Sequence, residues 1–227
     1  MKVLNPIVIE PKEKHLGTVI FLHGLGDSGI SWIPLAETLG PRFPNIKWIF
    51  PNAPLRPVSF NGGALTPAWF NVASFDKSSQ TEQLDEAGML SSVKIVEEII
   101  EKEKKLGISK VILGGFSQGC VISLLTGLTT PIPLSGVIGV SGWLPLGEKI
   151  TKLASEENKK VRLLICHGDD DPIVKYRYGR ASARYLNKIG YNVDFKTYEG
   201  LAHTTCSQEI NDIGDFIQSI LTSTSKL

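Results

Sequence analysis

The sequence predicts an α/β protein, a mainly parallel central sheet with helices on both faces. Short apolar runs of strand length alternate with helix-periodic segments along the whole chain. Those runs are apolar at nearly every position rather than at every second one, as strands covered on both faces are. The composition fits a packed core: 227 residues, 42% hydrophobic and 21% charged, enough to bury roughly 70% of the unfolded surface. No linker, repeat or composition shift divides the chain. One domain over residues 1–227 is therefore expected, with a short N-terminal extension and a polar tail over 222–227.

In order, Thr18–Leu22 reads as a buried strand, followed by His23-Gly24 and a glycine-rich loop. Trp32–Leu39 is a short helix that tolerates Pro34 in its first turn. Lys47–Phe50 is a strand stopped by Pro51. Asn52–Gln80 is rich in Pro, Gly, Asn and Ser yet carries Phe60, Trp69, Phe70 and Phe75, which predicts a packed loop forming part of a pocket wall. Leu84–Leu106 is a long helix with Val93, Val96 and Ile100 on its apolar stripe, a solvated charged face and Gly107 as C-cap. Val111–Leu113, Gly136–Val140, Val161–Cys166 and Val193–Tyr198 are strands. Helices are expected near Arg177–Ile189 and along Ile210, Ile213, Ile217 and Ile220, which repeat at helical spacing.

A net charge of +1 offers no footprint for nucleic acid. Cys120, Cys166 and Cys206, odd in number and without a C-x-x-C spacing, predict neither a disulfide framework nor a zinc site, and point to a reducing, intracellular setting. No apolar run is long enough for stable membrane insertion. Ser225-Lys226-Leu227 reads as the address taken by the peroxisomal import receptor, so a cytoplasmic or peroxisomal location is expected.

The chemistry centres on Lys110–Cys120. Its apolar strand runs into Gly115-Phe116-Ser117-Gln118-Gly119, a G-x-S-x-G pattern, and then into a helix-compatible stretch. At a sharp strand-to-helix turn a serine is strained, and side chains two residues away would collide, so glycine is needed there. Ser117 is the expected nucleophile. Ligands of such sheets sit at the carboxyl ends of the strands. Two later strand ends carry His167-Gly168-Asp169-Asp170-Asp171-Pro172 and Glu199-Gly200-Leu201-Ala202-His203. The order Ser, Asp, His is that of the α/β-hydrolases. Of the four histidines, only His203 follows the last strand; spacing does not choose among the three aspartates. Adjacent carboxylates cannot all aim at one ion and no H-E-x-x-H motif supplies partners, so no metal is expected; nor is any cofactor.

Gly24-Leu25-Gly26-Asp27-Ser28-Gly29 matches G-x-G-x-x-G after a strand, but the second strand ends in Phe50-Pro51-Asn52, without the acid that holds a ribose. The better reading is an oxyanion loop in which the backbone N–H of Leu25 acts with that of Gln118. Gly139-Val140-Ser141-Gly142 lacks the second glycine of an elbow, so Ser141 is taken as a strand-end residue.

With HGLGDSG, FPNAP, PAWFNV, GGFSQG, SGWLPL, HGDDDPIV and KTYEGLAH in order from about residue 17 to 217, the chain resembles the acyl-protein thioesterases, a lysophospholipase/carboxylesterase-like branch of the α/β-hydrolases. The resemblance implies an α/β-hydrolase fold without a large cap domain, with Ser117 as nucleophile, Asp171 as orienting acid, His203 as base and Leu25 and Gln118 as oxyanion donors. It places Trp69, Leu65 and Ile173 at an acyl-binding tunnel. It implies removal of long acyl chains from S-acylated proteins, with lipid esters and thioesters as other substrates. Asn71 and Lys175 stand where the family usually has Asp and often Pro, and Asp170 adds a charge beside the acid. Two other functions fit the sequence: a carboxylesterase, lysophospholipase or acyl-CoA-type hydrolase acting on small or lipid esters, and an inactive lipid-binding hydrolase fold.

Overall fold

The computed structural model describes residues 5–74 and 84–223. Phe75 and Ser225-Lys226-Leu227 lie outside the described residues. The chain begins with β1 (Ile7–Ile9), β2 (Gly17–Leu22), α1 (Ile33–Leu39) and β3 (Ile46–Phe50). A small hairpin follows, β4 (Leu55–Val58) and β5 (Ala64–Pro67), then α2 (Glu86–Lys105), β6 (Lys110–Phe116), α3 (Gln118–Thr129) and β7 (Gly136–Val140). The last elements are α4 (Ile150–Leu153), β8 (Arg162–Gly168), α5 (Tyr176–Lys188), β9 (Asn192–Tyr198) and α6 (Ser207–Thr222).

Seven strands form one sheet in the order β1-β3-β2-β6-β7-β8-β9. Every pairing is parallel except β1 with β3. Strand side chains alternate in direction, and the two faces divide accordingly. Ile20, Leu22, Val111 and Leu113 pack under α2, α3 and α5, while Val19, Phe21 and Ile112 pack under α1 and α6. β2 and β7 are buried along their whole length, so the sequence shows them as unbroken apolar runs. This is the α/β-hydrolase fold, without a large cap among the described residues. No helix among them is long and apolar enough to cross a membrane.

Sequence and structure part in three places. β1 has only three residues and pairs on one side, which leaves too short a pattern to read. The segment after Phe50, expected to have no regular structure, folds back on itself as the β4–β5 hairpin. Its aromatics divide: Trp69 and Phe70 are buried and Phe60 is exposed. The charged face of α2 is not wholly solvated, because Glu103 is buried. Its carboxylate accepts from Thr18 Oγ1 at 2.7 Å and pairs with Lys47 Nζ at 2.8 Å, tying the helix to β2 and β3.

Removing one member of such a buried ion pair leaves an uncompensated charge, typically at a cost of about 3–5 kcal/mol. Lys47 keeps some solvent contact, so Glu103→Ala is expected to cost about 2–3 kcal/mol. Urea unfolding measures this. A midpoint equal to that of the wild type would show that the network adds nothing to stability.

Candidate active site

One residue separates β6 from α3. Ser117 makes the turn with φ 53 and ψ −116, a conformation that costs a non-glycine residue on the order of 1–3 kcal/mol. The turn is held from both sides: Ser117 N–H donates to Val140 O at 2.8 Å, and Val121 N–H to Ser117 O at 3.2 Å. The flanking glycines are required by contact. A Cβ on Gly115 would sit 2.5 Å from the Gly119 backbone, and one on Gly119 would press into the Leu22 carbonyl oxygen. Without side chains there, the start of α3 lies against the end of β2.

The residues expected as acid and base come from the next two strand ends. Asp171 follows β8, with its side chain fully buried. Its Oδ1 accepts from the N–H groups of Ile173 and Val174, both at 2.8 Å, and its Oδ2 from His203 Nδ1 at 2.6 Å. The other imidazole nitrogen, Nε2, lies 2.9 Å from Ser117 Oγ. Burial alone would raise the Asp171 pKa. The hydrogen bonds from the neighbouring histidines and the Val174 N–H outweigh it and hold the carboxyl below the usual carboxylate range. An ionised Asp171 fixes the proton of His203 on Nδ1 and leaves Nε2 to accept from the serine hydroxyl. The Phe116 ring, 4.7 Å from that of His203, flanks the imidazole.

The three adjacent aspartates do different things. Asp169 Oδ1 accepts from Gly200 N–H at 2.7 Å, joining the loop after β8 to the loop after β9. Asp170 faces solvent, and Asp171 turns inward. No sequence spacing carried that distinction.

The loop after β2 reaches the serine from the other side. A Cβ on Gly24 would lie 3.4 Å from Ser117 Cβ. His23 holds the loop: its Nε2 accepts from Ala53 N–H at 2.9 Å, so its Nδ1 carries the proton and donates to Gly24 O at 2.7 Å. Burial lowers the pKa of this histidine, which favours the neutral form those bonds need. Leu25 sits in the turn after Gly24. The N–H of Gln118 is the first of α3 and has no partner within the helix. The glycine pattern here serves packing. A Cβ on Gly29 would collide with Phe50 O, and Gly29 N–H donates to Asn52 Oδ1 at 2.9 Å, where a nucleotide site would need an acid.

Gln118 has a second task. Its side chain accepts from Trp69 N–H and donates to Phe70 O, both at 2.7 Å, and so fastens the strap after β5 to the elbow. Leu65 and Ile173 are 70% and 42% exposed, as substrate-contacting apolar side chains can be. Trp69, expected at an acyl tunnel, is 0% exposed, with its indole N–H donating to His23 O at 2.8 Å. It braces the site from within the core. Asn71 accepts from Ser59 N–H and donates to Ser59 Oγ, and Lys175 is exposed at the start of α5. Two further histidines, His23 and His167, stand at strand ends beside the site, with roles the sequence does not single out. His167 is buried, donates from Nε2 to Val174 O at 2.8 Å and lies 3.4 Å from Asp171. The signal was present in the two His-Gly pairs that close β2 and β8.

The phospholipase/carboxylesterase family model matches residues 4–221. The acyl-protein thioesterase 1 of Cryptococcus neoformans var. neoformans serotype D is 44% identical over 233 residues, 96% of this chain and 98% of that protein. The acyl-protein thioesterase 1 of Schizosaccharomyces pombe is 42% identical over 97% of this chain and 98% of its own length. The crystal structure of Zea mays acyl-protein thioesterase 2 superposes with a TM-score of 0.85 at 37% identity, covering 96% of this chain and 99% of that one.

Two outcomes test this geometry. Gly119→Ala forces the start of α3 away from β2 and should lower thermal stability by several degrees, read by calorimetry; an unchanged Tm would refute the contact. Asp171 has a depressed folded-state pKa, so its contribution is present above the unfolded value of about 3.9 and is lost as pH falls toward the folded one. Asp171→Asn should therefore lie below the wild type in stability at neutral pH, with the gap closing below about pH 4. A gap independent of pH would contradict the assignment.

Proposed function

The chain belongs to the phospholipase/carboxylesterase family of α/β-hydrolases, and we propose that within it the protein removes acyl chains from cysteine thioesters of proteins through a Ser117-His203-Asp171 triad. The observation that carries the proposal is one imidazole joined at both ends, to a buried carboxylate at 2.6 Å and to a strained serine hydroxyl at 2.9 Å.

In this reading His203 Nε2 takes the Ser117 proton as the oxygen attacks the acyl carbon, and Asp171 stabilises the resulting imidazolium. The N–H groups of Leu25 and Gln118 receive the oxyanion, each worth about 3–4 kcal/mol when lost. The thiol leaves with the proton from His203, and water activated by the same imidazole releases the fatty acid from Ser117. The exposed side chains of Leu65 and Ile173 offer the apolar surface for the chain, with ~0.8 kcal/mol for each CH₂ buried. The names of the relatives support a protein thioester as substrate. The family description also covers esterases, and an oxyester series tests that reading.

Ser117→Ala should lower kcat by at least about 10⁴-fold and leave the fold intact. For the wild type, kcat/KM over acyl chains of increasing length should rise by roughly fourfold per CH₂ until the apolar surface is covered. It should also be higher for thioesters than for matched oxyesters. Turnover retained by Ser117→Ala would end the proposal. A flat chain-length series would remove the long-chain acyl group from it.

A further inference from the structure

The acyl carbon in the tetrahedral intermediate carries the serine oxygen, the oxyanion, the acyl chain and the leaving group. The oxyanion faces the N–H groups of Leu25 and Gln118, and the exposed Leu65 and Ile173 mark the acyl side. The leaving group must lie on the flank of His203, since Nε2 is the atom that returns the proton to it.

A cavity of about 300 Å³ opens beside the imidazole, with His203 and Phe116, the residue before Ser117, in its wall. That volume is at the lower end of the usual range for small-molecule sites, about 300–1,000 Å³. Trp32 and Phe116, whose rings are 5.4 Å apart, form its apolar side. Hydroxyls and one carboxylate, Asp27, form its polar side, and no lysine or arginine is among the described residues lining it. Ser31 Oγ donates to Asp27 Oδ1 at 2.5 Å, which orients the carboxylate. Neither Leu65 nor Ile173 lines this cavity, so it is separate from the acyl side.

We propose that this cavity is the leaving-group subsite, receiving the thiol-bearing segment of an acylated peptide with a basic residue beside the modified cysteine. The proposal rests on the triad reading above. The C–S bond breaks with its electron pair going to sulfur, sulfur takes the proton from His203 Nε2, and the acyl group stays on Ser117 Oγ. The freed thiol then departs through the cavity.

The test uses two palmitoyl-cysteine peptides that differ only in Lys or Glu beside the cysteine, and a palmitoyl thioester of a small neutral thiol. The wild type should favour the Lys peptide in kcat/KM by about threefold to fivefold at low salt, a preference that fades toward 1 M salt. Asp27→Lys should reverse it. Thr38→Trp, at an exposed position of α1 in the same wall, should depress both peptides more than the small thioester. The same peptide preference in the wild type and Asp27→Lys, with Thr38→Trp acting equally on all three substrates, would overturn the subsite. If Asp27→Lys fails to fold, Thr38→Trp alone decides. Turnover of all three substrates by Ser117→Ala would instead overturn the triad reading, so the two failures are told apart.

Discussion

A backbone contact too close for any side chain sets the position of everything else in the site. The first turn of α3 rests on the carbonyls that end β2, and only a glycine at 119 permits it. That contact places the Ser117 hydroxyl and the Gln118 N–H beside the loop carrying Leu25, on a sheet edge where two later loops also arrive. Strain at Ser117, on the order of 1–3 kcal/mol, is tolerated because the turn is over-determined. β7 holds its amide, α3 holds its carbonyl, and α3 itself is buried almost throughout.

The electrostatics follow from placing a carboxylate where water cannot reach it. A buried Asp171 would be neutral if left alone. Two backbone N–H groups on one oxygen and an imidazole on the other keep it ionised, and the same bonds orient His203. A further layer repeats the arrangement: His23 and His167, each bonded to a backbone carbonyl, hold the loops in which Gly24 and Asp171 sit. Gln118 and Trp69 then join the elbow to the strap that follows the β4–β5 hairpin. The site is thus built on strand ends and fastened through side-chain-to-backbone bonds.

What could be read in the sequence was what depends on local pattern. The central strands announced themselves because burial on both faces leaves unbroken apolar runs, and G-x-S-x-G because the glycines answer a local steric need. The order of Ser117, Asp171 and His203 along the chain was legible for the same reason, as was their arrival at successive strand ends. The choice among Asp169, Asp170 and Asp171 is not carried by spacing, since it turns on which side chain points inward; only the family resemblance singles out Asp171. The full burial of Trp69 is not legible either, because aromatic residues in a long loop suit a pocket wall and a core equally well. The burial of Glu103 on α2 is not legible because its partners, Thr18 and Lys47, come from two strands distant in the chain. The hairpin was hidden by its Pro and Gly content, which reads as loop.

The central claim is that Ser117 is uniquely activated by its hydrogen bond to His203. Treatment with a fluorophosphonate, followed by peptide mass mapping, tests it most directly. The account predicts a single stoichiometric adduct on Ser117 that is lost in His203→Ala. An adduct on another residue such as Ser141, or equal labelling with and without the imidazole, would contradict it.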